Sequence, residues 1–89
     1  MPTVSFTPAL QRFLPTPSAE VEGGTVAAAL AEVFASRPAL RGYVLDDQGA
    51  LRRHVAVYVN GDPVKDRSRL TDAVRPGDEI YVFQALSGG

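Results

Sequence analysis

The chain has 89 residues, 45% of them hydrophobic, with nine Lys plus Arg against ten Asp plus Glu and no cysteine. That length fits one small domain, which buries only about two-thirds of its unfolded surface. A net charge of -1 gives no strong field for nucleic acid or an anionic membrane. The missing thiol excludes disulfides, a cysteine nucleophile and cysteine-based zinc sites.

Thr3-Val4-Ser5-Phe6-Thr7 alternates, so the pattern predicts a half-buried strand with Val4 and Phe6 inward. Pro8, Pro15 and Pro17 break the next stretch into a long connection, with Leu10, Phe13 and Leu14 available to cover a core edge. Ser18–Glu22 alternates again and reads as the return strand of a hairpin, closed by a turn at Gly23-Gly24. Thr25 is the expected helix N-cap. Val26, Leu30, Val33 and Phe34 follow at helical spacing among four alanines, and Pro38 ends the helix. Pro38–Arg41 predicts one further short turn.

Val44–Gly49 reads as a loop in which Asp46-Asp47 serve turn chemistry and Gly49 takes a positive φ. His54–Val59 is the clearest strand, with Val55, Val57 and Val59 on one face and Ala56 and Tyr58 on the other. Asn60-Gly61 predicts a tight turn, and Val64 a short edge strand. Leu70 and Val74 are expected core contacts around a turn over residues 67–74, where Arg67, Arg69, Asp66 and Asp72 read as a surface charge cluster. A turn at Arg75–Asp78 leads into a last strand, Glu79–Phe83, with Ile80 and Val82 inward and Tyr81 and Phe83 outward.

The apolar runs are far too short for a membrane span, and Met1–Ser5 lacks the features of a signal peptide. A cytoplasmic protein is expected. The single histidine, His54, has no partner placed by spacing, so neither a metal site nor a catalytic role is expected of it. Arg52-Arg53-His54 reads as a solvated strand entrance, and Lys65 is the one lysine.

The order strand, strand, helix, strand, short strand, strand, ending in Gly88-Gly89, resembles the ubiquitin-like β-grasp sulfur carriers of the MoaD/ThiS type. The resemblance rests on Val4–Phe6, Glu22–Val26, Val57–Gly61, Pro76–Ile80 and Leu86–Gly89, and it spans nearly the whole chain. It implies an α+β fold: a mixed sheet of four to five strands wrapped around one main helix, with residues 1–89 forming a single domain and 84–89 a flexible reactive tail. Arg53–Asn60, preceded by the longer Asp46–Leu51 loop, is closer to the amino-acid-synthesis carriers than to the molybdopterin branch.

The resemblance also implies a chemistry. In this family a separate ATP-dependent adenylating enzyme activates the C-terminal carboxylate, and a sulfide or persulfide converts it to a thiocarboxylate. Here that group is on Gly89, and Gly88 keeps the approach narrow, since glycine enters channels that a Cβ blocks. Ala85–Gly89 reaches about 15–18 Å beyond the last strand. Phe83, Tyr81 and Tyr58, with Leu86 and Ser87 in the tail, are the expected partner-binding residues. Partners are the activating enzyme and a sulfur-accepting synthase or large subunit, in molybdopterin, thiamine or cysteine synthesis. Neither nucleic acid nor membrane is expected as a partner. By this resemblance the chain is expected to be a protein cosubstrate, or the small subunit of a synthase complex, without catalytic residues of its own, to bind no cofactor stably and to leave the use of ATP to its partner. The free form is expected to be monomeric. A protein modifier joined through Gly89 to target lysines, and an inert interaction domain, are the alternatives.

Overall fold

The computed structural model describes residues 1–6 and 18–84. The expected Pro8–Pro17 connection and the tail after Gln84 lie outside the described residues. The elements are β1 (Thr3–Phe6), β2 (Ala19–Glu20), α1 (Val26–Ser36), α2 (Pro38–Val44), β3 (Val55–Val59), β4 (Asp62–Pro63) and β5 (Glu79–Gln84). They build one five-stranded sheet in the order β2-β1-β5-β3-β4. β5 runs parallel to β1 and antiparallel to β3, while the β1–β2 and β3–β4 pairs are antiparallel.

The alternation in the strands sets the layers. Val4, Phe6, Val57, Ile80 and Val82 are buried on one sheet face, in one core cluster with Val26, Leu30, Val33 and Phe34 of α1. A sheet face covered by one helix stripe is the arrangement that the periodicities of two and 3.6 dictate.

Both ends of α1 are fixed by identifiable groups. Thr25 adopts extended backbone, and its Oγ1 accepts from the Ala28 N–H at 3.1 Å. The Val26 and Ala27 N–H groups donate to the carbonyls of Asp72 and Leu70 at 3.0 and 2.9 Å. The loop before β5 therefore plugs this helix N-terminus, and these three donors are taken before any anion arrives. At the other end Arg37 caps α1 and precedes Pro38 at the first turn of α2. The proline that stops one helix starts the next, because its fixed φ suits a first turn. The expected single turn is instead a seven-residue helix running to Val44, held by the buried Leu40 and Val44.

Gly23 matters for space rather than for its dihedral angles. A Cβ there would stand 2.5 Å from the Ala29 nitrogen and 2.7 Å from the Ala28 carbonyl carbon. α1 lies directly on this backbone, so Gly23→Ala must displace the helix. Its expected cost is about 1–3 kcal/mol, the range for overpacking, read as a lower urea midpoint with an unchanged slope. An unchanged midpoint would show that the helix yields freely.

The Asn60-Gly61 turn has φ values of 51° and 88°, as a two-residue turn with both central residues left-handed requires. Leu70 also has a positive φ, 56°, an uncommon state for a side chain of that size. Its side chain is buried and its carbonyl receives the Ala27 N–H, so packing and the helix plug hold the strained backbone.

Candidate functional site

β5 is the structural centre of the sheet and leads toward the chain's last residues. It has a hydrogen-bonded neighbour on each side, with Tyr81 in register with Ser5 of β1 and Tyr58 of β3, and Phe83 with Ala56. Since Ile80 and Val82 are buried, the intervening residues face outward. Tyr81 is 39% and Phe83 44% exposed, and Tyr58 is half-buried. One row across the outer sheet face thus runs Pro63, Tyr58, Tyr81, Ser5, and the Ser5 hydroxyl bonds that of Ser18 at 3.0 Å. The structure brings together three of the residues expected at the partner site, Tyr58, Tyr81 and Phe83. Leu86, Ser87, Gly88 and Gly89 lie outside the described residues.

The start of β5 is anchored by a cluster that sequence reading reduced to two turns. Asp78 accepts from the Arg75 N–H at 2.8 Å and from the Asn60 side-chain amide at 2.9 Å. Asn60 Oδ1 accepts from the Glu79 N–H at 2.9 Å, and the Asn60 N–H donates to the Glu79 carbonyl at 2.8 Å. The Asn60-Gly61 turn is therefore tied to the first residue of β5. The signal available in the sequence was Asn60 itself, which offers a donor and an acceptor beyond its turn role.

The 66–72 loop is organised in the same way. Asp66 accepts from the Ser68 and Arg69 N–H groups and from the Thr71 hydroxyl, the last at 2.7 Å. Asp72 accepts from the Lys65 and Asp66 N–H groups, each at 2.9 Å. Arg67, expected in a surface charge cluster, donates to the Arg52 and Val55 carbonyls at 3.0 and 2.7 Å and so ties this loop to the start of β3. Asp46 behaves as expected of a turn residue, accepting from the Gln48 and Ala50 N–H groups. Among the described residues no group of three or more metal-ligating side chains gathers, and no helix is long and apolar enough to cross a membrane.

These bonds hold three carboxyls below their ordinary value. The Thr71 hydroxyl does most for Asp66, the Lys65 N–H for Asp72 and the Arg75 N–H for Asp78. A depressed folded-state pKa means that the unfolded chain binds more protons as pH falls. The stability these groups contribute is present above the unfolded value, near 3.8, and is lost as pH falls through the folded values. A urea midpoint that declines from pH 5 to pH 2 is the expected result, with a flatter decline in Asp66→Asn. Equal slopes in the two proteins would remove Asp66 from the account.

A four-to-five-stranded mixed sheet clasping one long helix defines the β-grasp, ubiquitin-like class. Within that class the comparisons are specific. The ThiS family model matches residues 10–89, and the chain belongs to the ThiS family. The small archaeal modifier protein 1 of Haloferax volcanii is 37% identical over 71 residues, covering 79% of this chain and 77% of its own. Its crystal structure superposes with a TM-score of 0.79 at 30% identity over 99% of this chain and 98% of that one. A chain in the crystal structure of the Amycolatopsis orientalis BexX/CysO complex matches with a TM-score of 0.83 at 27% identity, covering 100% of both chains. The sulfur carrier protein CysO of Mycobacterium tuberculosis is 28% identical over 74 residues, 81% of this chain and 80% of its own. The expected fold and family are borne out. Members of this family are small carriers and modifiers rather than catalysts.

Proposed function

We propose that this chain is a sulfur carrier whose reactive group is the Gly89 carboxylate. One observation carries the reading: the central strand β5 presents Tyr81 and Phe83 on the open sheet face and leads directly into a segment that the family match includes to its last glycine. The aromatic face holds a partner while the tail enters that partner's active site.

The chemistry needs a partner because a carboxylate is anionic and its oxygen leaves poorly. The Gly89 carboxylate attacks the α-phosphorus of ATP on the activating enzyme, and pyrophosphate leaves. Sulfide then attacks the carbonyl carbon of the acyl adenylate, AMP leaves, and a thiocarboxylate remains. With no cysteine in the chain, sulfur has no side chain on which to ride. The likeness to CysO and the sequence of Arg53–Asn60 favour amino-acid synthesis as the destination.

Intact mass spectrometry after incubation with an activating enzyme of the source organism, ATP and sulfide tests the proposal. The expected mass change is the exchange of one oxygen for one sulfur, located on Gly89 by fragmentation. An unchanged mass with every such enzyme would refute it.

A second reading is favoured by the 37% identity to a modifier protein: the same adenylate passes to a lysine amine and forms an isopeptide bond. Conjugates of higher mass in cell extract that contain the Gly89 linkage would support it. An extract with thiocarboxylate and no conjugates would dismiss it.

A further inference from the structure

A groove lies on the helical side of the molecule, on the opposite face of the sheet from Tyr81 and Phe83. Between α1, α2 and the 66–70 turn runs a half-open groove of about 430 Å³. Its floor is core: Leu30, Phe34 and Leu70 are 1%, 7% and 2% exposed. One wall is the row Ala27, Ala31 and Ala35, side chains one turn apart on α1 that extend for ~12 Å. Small residues in such a row let another backbone approach closely.

The lips are charged with one sign. Arg41 of α2 and Arg69 of the turn line the groove, and among the described residues no acidic one does. Both arginines are exposed, and no hydrogen bond or ion pair holds either guanidinium among the described residues. Of the carboxylates on the neighbouring loops, Asp47 is exposed and does not line the groove, and three others accept hydrogen bonds from their own loops. Asp66 and Asp72 accept from their own loop, and Asp46 accepts from Gln48 and Ala50. Arg52 and Arg67 are likewise engaged with backbone carbonyls. Two unpaired guanidinium groups thus flank an apolar trough.

We infer that this groove docks an acidic amphipathic helix of a partner protein, with leucine-sized side chains on the trough floor and carboxylates on Arg41 and Arg69. A half-open groove walled by a row of alanines fits a helix face better than a small molecule, whose surface an enclosed pocket would cover. Because the sheet separates this groove from Tyr81 and Phe83, a partner held here leaves the aromatic face free.

The test is a ¹H–¹⁵N correlation titration of the labelled chain with a short synthetic peptide of leucine and glutamate at helical spacing. The same peptide with lysine in place of glutamate is the control. The acidic peptide is expected to shift the amides of Ala27, Ala31, Ala35 and Arg69 and to leave Tyr81 and Phe83 unmoved. Arg41→Glu with Arg69→Glu, both at exposed positions, is expected to weaken that binding about tenfold or more and to create binding of the lysine peptide. Shifts centred on Tyr81 and Phe83, equal response to both peptides, or no response at millimolar peptide would each overturn the proposal.

Discussion

Deleting Gly88-Gly89, or extending the chain by one residue beyond Gly89, is expected to abolish sulfur loading and leave folding intact. The two changes act on different requirements. Deletion removes the reacting carboxylate and shortens the reach by about 7 Å. Extension keeps the length but converts the Gly89 carboxylate into an amide, which ATP does not activate. Neither touches the core, whose described members run from Val4 to Val82, so the urea midpoint should match that of the parent chain. The readout is the sulfur-for-oxygen mass change with activating enzyme, ATP and sulfide, beside the unfolding curve. Full loading of either variant would show that the chemistry lies elsewhere in the chain.

Phe83→Ala is the second large effect, and it falls on affinity rather than on chemistry. Phe83 is 44% exposed and its in-register neighbour on β3 is the small Ala56, so the sheet is expected to lose little, of the order of 1 kcal/mol or less. An aromatic side chain at the centre of an interface is a frequent hot spot, worth about 2 kcal/mol or more on truncation. Binding to the activating enzyme, measured by calorimetry, is therefore expected to weaken about thirtyfold. At saturating enzyme, loading of Gly89 should recover. Tyr81→Ala, on the same exposed row, is expected to weaken binding in the same direction. Unchanged affinity in both variants would move the interface off this face.

The strands were legible because their alternation is strict: Val55, Val57, Ile80 and Val82 are buried where the pattern placed them, and Tyr81 and Phe83 exposed. The Thr25 cap and the Asn60-Gly61 turn were legible for the same reason, since both are local chemistry. What escaped was set by contacts distant in sequence. Pro38 signals the end of one helix and equally the start of another, and only the burial of Leu40 and Val44 decides how far the second one runs. The left-handed Leu70 has no sequence signature, because its backbone is fixed by the helix end it plugs. Arg67 looked like one charge in a cluster, whereas its guanidinium serves two carbonyls of the β3 entrance. At the site, the aromatic trio was readable from strand parity. The Asn60–Asp78 clasp that aims β5 joins residues 18 positions apart, beyond any local pattern.

The parallel pairing of β1 with β5 has a mechanical consequence. Thr3–Phe6 and Glu79–Val82 lie side by side and run in the same direction. A pull on the tail against a tether at the amino terminus drags these strands past each other lengthwise, so their ladder bonds are loaded together in shear rather than opened one at a time. A chain drawn by its tail while held at its amino-terminal strand is thus braced along the line of the load, and β3 on the far side of β5 shares it.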